Sequence, residues 1–366
     1  MQGVARFLVI LLIVTFIPAV LSDQTEDLAA FKLAYMQYEE FSEQGNLNKS
    51  LPQARHAYEL GQQLFGKESK ESAKLAYNYG NNLLRLHLYH EAKLILIEAL
   101  NSFETVYGTE SIELIPVLMD LGHANANVNK DNIKKKLYAR AFKLYEQDYG
   151  KESVEFAWFS VRNGVDMLSI GHDSAGNKSL KTGYGILLSR LGEDHEKTGF
   201  AAYNLGKYEL SLNHYAAAKP YFLIALKSFE KTDAPSNKGE LSTHAFLVRV
   251  YEELGESELA YQHSLAIGRM TPFESNQSYF PIYKKSPVYP KSALRQRKEG
   301  YVIVEFTVDE KGLVRDPRVV VIEGDKAFEQ PSLDVVRTFR YAPRFIDGQP
   351  VAVEGVRNKL YFSISK

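Results

Sequence analysis

Two periods of hydrophobic and polar residues divide this chain. From about residue 27 to residue 270, apolar residues recur at steps of three and four. Ala92, Leu96, Ala99, Leu100 and Phe103 are one such set, and that spacing lays them along one face of a helix. Beyond residue 287 the period becomes two. Val302, Val304, Phe306 and Val308 alternate with Tyr301, Ile303, Glu305 and Thr307, which predicts a strand with one buried face.

The helical stretch is itself periodic. Gly66, Gly108, Gly150 and Gly192 lie 42 residues apart. Gly80, Gly122, Gly164 and Gly206 keep the same step, as do Ala57, Ala99, Ala141, Gly183 and Ala225, and then Ala218 and Ala260. In-phase series of small residues define an internal repeat. Each unit predicts two helices, for example Ser69–Leu86 and Tyr89–Val106. Gly108 suits the left-handed position after a helix C-terminus, where a Cβ would clash. Gly80 and Ala99 fall where paired helices would cross, so that the backbones can approach closely. The pattern resembles tetratricopeptide repeats in the 42-residue form of kinesin-light-chain-like arrays, over residues 27–270 and about six helical hairpins. The end units diverge: Val248 stands where the glycine series would continue, and the unit around Phe31 departs from the rest, as capping repeats do. The resemblance implies an all-α superhelix whose concave face holds an unidentified protein or peptide. Most of the tyrosines are expected to pack between helices.

Pro272, Pro281, Pro287 and Pro290, mixed with Ser275, Asn276 and Ser278, rule out a continuous helix and predict a linker over 271–286. After a short Lys291–Arg297 helix comes the strand through Val302–Val308, the turn Asp309-Glu310-Lys311-Gly312, and a second strand through Val314 and Val319–Ile322. A helix from Phe328 to Phe339, a turn at Gly348-Gln349-Pro350 and a last strand follow. In that strand Leu360, Phe362 and Ile364 face away from Lys359, Tyr361 and Ser363. The chain is thus expected to have two domains, the second a small α+β fold over 287–366 with a three-stranded antiparallel sheet and a helix on one face.

Tyr289-Pro290, Glu299-Gly300, Asp309 with Gly312, Arg340-Tyr341-Ala342-Pro343 and Gly348-Gln349-Pro350-Val351 stand in the order and spacing of the TonB C-terminal domain, which this segment resembles. The resemblance implies that the last strand is a sheet edge accepting an extended segment of an outer-membrane TonB-dependent transporter, by strand addition. It also implies that the stretch before Tyr-Pro contacts the transporter. The implied partner-binding residues are Ser286, Pro287, Val288 and Tyr289, with Val356, Arg357, Lys359, Tyr361 and Ser363; Arg344 could add charge complementarity. Arg340–Pro343 are expected to shape the turn before the last strand. Peptidoglycan is the other partner this module could take. Two features depart from TonB: Ser286–Val288 has no glutamine, and the apolar run Phe7–Leu21 has no histidine to couple to a proton-driven motor.

Composition narrows the function classes. Arg6 followed by Phe7–Leu21, with Val20 and Ser22 as small residues before a cleavage point, predicts a signal peptide over 1–22 and a periplasmic protein. The alternative is an inner-membrane anchor over residues 4–21 with the rest facing the periplasm, as in a TonB-type energy transducer. The chain has no cysteine, so neither disulfides nor thiolate chemistry contribute. A formal net charge of -1 argues against nucleic acid as a partner. Residues 279–366 nevertheless hold 16 Lys+Arg against 11 Asp+Glu, a basic module on an acidic body. His87 and His90, three apart on an expected helix, have no further ligand at a matching spacing, and His172-Asp173 marks a helix start. No cofactor and no catalytic motif is expected, and the chain reads as an interaction scaffold rather than an enzyme; a third reading makes the C-terminal domain a structural or dimerising module.

Overall fold

The computed structural model describes residues 23–128, 133–169, 173–231, 238–271 and 279–364. The signal or anchor segment, and His172, lie outside the described residues. Among those described, no helix is long and apolar enough to cross a membrane.

The chain forms two compact units, one ending at Phe156 and the other starting at Ala157. In the first, α1 (Asp23–Glu43) packs on α2 (Leu47–Phe65), α3 (Lys70–Arg85) on α4 (Tyr89–Tyr107), and α5 (Ile115–Val128) on α6 (Ile133–Tyr149). The unit boundary falls inside α7 (Val154–Ser169). In the second unit α7 pairs with α8 (Asp173–Leu191), α9 (Glu196–Ser211) with α10 (Tyr215–Phe229), and α11 (Lys238–Leu254) with α12 (Ser257–Met270).

The 42-residue period has a geometric origin. Gly66, Gly108, Gly150 and Gly192 take φ values of 82°, 84°, 82° and 80°, a left-handed conformation open to glycine without a Cβ clash. A serine three residues later caps the next helix. Ser69 Oγ donates to Gly66 O at 2.9 Å and accepts from Ser72 N at 3.1 Å; Ser153 repeats both bonds with Gly150 O and Phe156 N, at 2.8 and 3.0 Å. His195 occupies the same place before α9 and caps Lys197 N through Nδ1 at 3.1 Å. The second glycine series sits at the helix crossings. A Cβ on Gly80, Gly122 or Gly206 would come within 2.8, 2.4 and 2.8 Å of Leu96, Tyr138 and Phe222. On Gly164 it would meet the backbone N of Leu180 at 2.6 Å. Each glycine therefore accepts the large side chain that its repeat places on the following helix. Ala92, Leu96, Ala99 and Phe103 are buried on the predicted face of α4.

The C-terminal module comprises α13 (Lys291–Arg295), β1 (Gly300–Val308), β2 (Val314–Glu323), α14 (Glu329–Val336), β3 (Arg344–Ile346), β4 (Gln349–Val351) and β5 (Val353–Phe362). The antiparallel sheet has the order β2-β1-β5. Val302, Val304, Phe306 and Val308 point to a core with Phe328, Val336, Phe339, Leu360 and Phe362; the Phe328 and Phe362 rings stack with centroids 4.1 Å apart. Two expectations change. The helix ends at Val336 rather than Phe339, which leaves Phe339 free to enter the core. Gln349 and Pro350 are in β4, and the turn itself is Asp347-Gly348, at φ 49° and 78°, joining a β3–β4 hairpin that alternation alone did not predict.

Part of the expected linker is also fixed. Residues 272–278 lie outside the described residues, but Tyr279–Lys285 is not free chain. Arg340 N donates to Tyr283 O at 3.0 Å, Ile282 N donates to Arg340 O at 2.7 Å, and the Tyr279 hydroxyl donates to Ala342 O. The same turn grips the last helical hairpin. Arg340 makes a bidentate pair with Glu252 at 2.7 and 2.9 Å, with side chains 18% and 8% exposed. The Tyr283 hydroxyl donates to Glu253 at 2.8 Å, and Lys285 pairs with the same carboxylate at 3.2 Å. A Cβ on Gly268 of α12 would lie 2.3 Å from Pro343 O. Arg340 therefore does more than shape a turn: it ties the module to α11.

Candidate interaction edge

The candidate site is built on β5. Because β1 is the central strand, β5 pairs on one side only, and no described strand lies on the other. Alternate backbone N–H and C=O groups of such a strand face outward, available to another chain. Register with β1 is continuous from Gly300↔Phe362 through Val304↔Asn358 to Phe306↔Val356. At the far end, Ile364 N donates to Glu299 Oε1 at 2.6 Å, which ties the end of the chain after β5 to the start of β1.

Side chains along β5 alternate as a half-buried strand requires. Val356, Leu360 and Phe362 are buried, whereas Arg357, Lys359, Tyr361 and Ser363 are exposed. Tyr361 is 65% exposed. The outward residues form rungs across the sheet: Tyr361, Tyr301 and Glu323; Lys359, Ile303 and Val321; Arg357, Glu305 and Arg318. Arg357 Nε donates to Glu305 Oε2 at 2.7 Å and Arg318 holds the other oxygen. Hydrogen bonds from these two guanidiniums hold the Glu305 carboxyl below its usual range. Lys359 Nζ lies 3.4 Å from the Tyr301 ring centroid and 4.9 Å from that of Tyr361, so its charge is fixed above two aromatic faces. The face beside the free edge is thus aromatic and net positive.

The implied contact residues fall into different places. Val356 offers only its backbone to a partner, since its side chain is in the core. Tyr289 turns inward: its ring meets Phe328 and Phe362 edge-on at 5.8 and 5.6 Å, and its hydroxyl donates to Lys298 O. Val288 is 80% exposed and Ser286 is exposed, with Pro287 half-buried between them. Lys284 Nζ donates to Asn358 Oδ1 at 2.9 Å, so the chain from Lys284 to Tyr289 runs past β5 from Asn358 to Phe362. The Ser286–Val288 stretch is brought to β5, while Arg344 is not in that sheet; it lies in β3, 4.3 Å above the Tyr279 ring. Tyr301 and Glu305 join the site from β1. The period-two pattern had put them on the outer face, but only the strand order made them neighbours of Lys359 and Arg357.

His87 and His90 do not share a helix. His87 sits between α3 and α4 at φ 60°, and Asn213 holds the matching turn three repeats later at φ 59°. Its Nδ1 is 2.7 Å from the Tyr89 hydroxyl.

Residues 285–364 match the family model for the Gram-negative bacterial TonB protein C-terminal, a family of protein-interaction domains and not of enzymes. Protein TonB of Vibrio cholerae serotype O1 is 30% identical over 66 residues, which are 18% of this chain and 27% of that protein. The chain therefore matches about a quarter of the length of this curated relative. Among solved structures, the tonb2 protein from Vibrio anguillarum is 33% identical over 26% of this chain and 91% of its own, with a TM-score of 0.21. Kinesin light chain TPR-like repeats from Podosopora anserina align with 68% of this chain and 96% of theirs, at 10% identity and a TM-score of 0.34.

Proposed function

We propose that this protein is an exported scaffold of the cell envelope, whose C-terminal module takes up an extended segment of an outer-membrane TonB-dependent transporter on β5. The observation that carries the reading is the one-sided pairing of β5 in a segment that matches the TonB C-terminal family. Strand addition supplies affinity through backbone hydrogen bonds and selectivity through alternate side chains. Here those side chains are Arg357, Lys359, Tyr361 and Ser363, which favour an acidic or aromatic segment. Val288 and Ser286 add a second contact beside the strand. The helical hairpins would hold a separate protein or peptide, so the chain would bring two partners together without chemistry of its own.

The absence of cysteine makes the test direct. Single cysteines at Lys359, Tyr361 or Ser363 are paired with a cysteine series along a transporter-derived peptide, and disulfide formation is measured. Strand addition gives a crosslinking pattern that alternates along the peptide and shifts in step with the position on β5. A flat pattern, or crosslinks only between two copies of this chain, would sink the transporter reading. N-terminal sequencing of the mature protein separates the exported form, starting near Asp23, from an anchored transducer.

A further inference from the structure

The junction between the last two hairpins of the helical array carries a cluster of side chains able to ligate a metal, which the interaction reading leaves unused. Glu230 follows α10, Glu240 lies in the first turn of α11, and His244 stands one turn further along α11. A spacing of four places Glu240 and His244 on one face. One ligand atom from each of the three residues lies within 4.8 Å of the others. The three come from the residue after α10 and from α11, so their convergence is a product of the fold and not of a local run of acids.

A second observation concerns the histidine. His244 is 6% exposed, which is unusual for a group that prefers water unless its nitrogens have a use. Its Nδ1 lies 2.8 Å from Nδ1 of His263 on α12. His263 is in turn stacked on Tyr251, with centroids 5.4 Å apart and planes 9° from parallel.

We propose that Glu230, Glu240 and His244 form a divalent transition-metal site, of the zinc type, that clasps the end of α10 to the start of α11. One imidazole and two carboxylates suit a borderline ion, whereas magnesium and calcium prefer oxygen donors alone. Ligands of a tetrahedral zinc stand about 3.4 Å apart for bonds of about 2.1 Å, so a small rotation of the exposed Glu230 side chain closes the set. Water takes the fourth position. Binding through the other nitrogen of His244 puts its proton on Nδ1, which donates to His263; this is the outer hydrogen bond that orients a ligating imidazole. His263 is then a positioning residue.

The test uses the untagged full chain, freed of metal with a chelator and titrated calorimetrically with zinc chloride, with magnesium and calcium chloride in parallel. The expected result is one zinc per chain and no heat from the other two ions at the same concentrations. Glu230→Gln and Glu240→Gln each weaken zinc binding by about tenfold or more, and His263→Gln by about 10- to 100-fold with stoichiometry kept. Melting of the metal-free variants checks that each folds; Glu230 is exposed, so its variant keeps the test decisive if another fails. Absence of zinc binding overturns the site. So does binding that both glutamine variants leave unchanged, which would move the metal to surface histidines such as His90.

Discussion

In the helical hairpins, the close approaches join residues a short way apart: Gly80 meets Leu96, and Gly206 meets Phe222. In the C-terminal module, the turn at Arg340–Pro343 is held by Tyr279, 63 residues before its partner Ala342, and by Glu252, 88 residues before Arg340. The first kind of contact repeats with the sequence and depends on its immediate neighbour. The second occurs once and depends on the chain returning from far away. Damage to a repeat should therefore stay near that repeat, whereas damage to the turn should reach both the module and the hairpin it grips.

The strongest challenge to this contrast is Arg340→Ala. It leaves Glu252, 8% exposed, without its bidentate cation. Breaking a buried pair from one side costs about 3–5 kcal/mol, and the partial exposure of Arg340 puts the expected loss near the lower end. Denaturant unfolding of the full chain measures it. Glu252→Ala should cost a similar amount and the double variant less than the sum of the two; simple additivity would show that the pair is not a coupled tie.

Next in size are the crossing glycines. Gly164→Ala puts a Cβ 2.6 Å from a backbone nitrogen and 2.8 Å from the Gly176 carbonyl oxygen, whereas at Gly80 the nearest atoms belong to the Leu96 side chain. Overpacking of this kind costs about 1–3 kcal/mol. Gly164→Ala should sit at the upper end and Gly80→Ala at the lower, because Leu96 can turn and backbone cannot. Equal costs by thermal unfolding would refute the account of the repeat.

A pH effect separates the two regions further. Lys134 of α6 is buried, and burial pushes its ammonium down to about 8 from an unfolded value of about 10.4. Between those values the unfolded chain binds more protons than the folded one, so unfolding free energy from this group rises as pH rises from about 8 to about 10.4. Lys134→Met should flatten that slope and raise stability at pH 7; an unchanged slope in denaturant melts assigns it to other groups. The smallest effect is expected at Lys359→Ala. Loss of its contacts with Tyr301 and Tyr361 costs about 0.5–1 kcal/mol in stability, while capture of an acidic peptide weakens.

Much of the fold was legible because its causes are local. The left-handed glycines and the small residues at helix crossings each act on helices next to them in the chain, so their 42-residue spacing reported them directly. Alternation likewise identified β1 and β5, including the outward set Lys359, Tyr361 and Ser363. The inward turn of Tyr289 was not legible: a Tyr-Pro pair next to an exposed valine gives no sign of which side meets Phe328 and Phe362. Nor was the fixed course of Tyr279–Lys285, since proline spacing shows that a segment is not helical and is silent on what its backbone pairs with. Glu230, Glu240 and His244 escaped notice because only α11 supplies two of them at a regular spacing.

The sequence by itself determined the repeat, the switch from helical to extended period, and the last strand with its alternating buried and exposed residues, because these follow from short-range sterics and from where apolar side chains can be buried. Tertiary structure alone decided that β5 pairs on one side only, that Arg340 closes on Glu252, and that Glu230, Glu240 and His244 converge. Those outcomes depend on strand order and on which distant surfaces meet, and no local period carries that information.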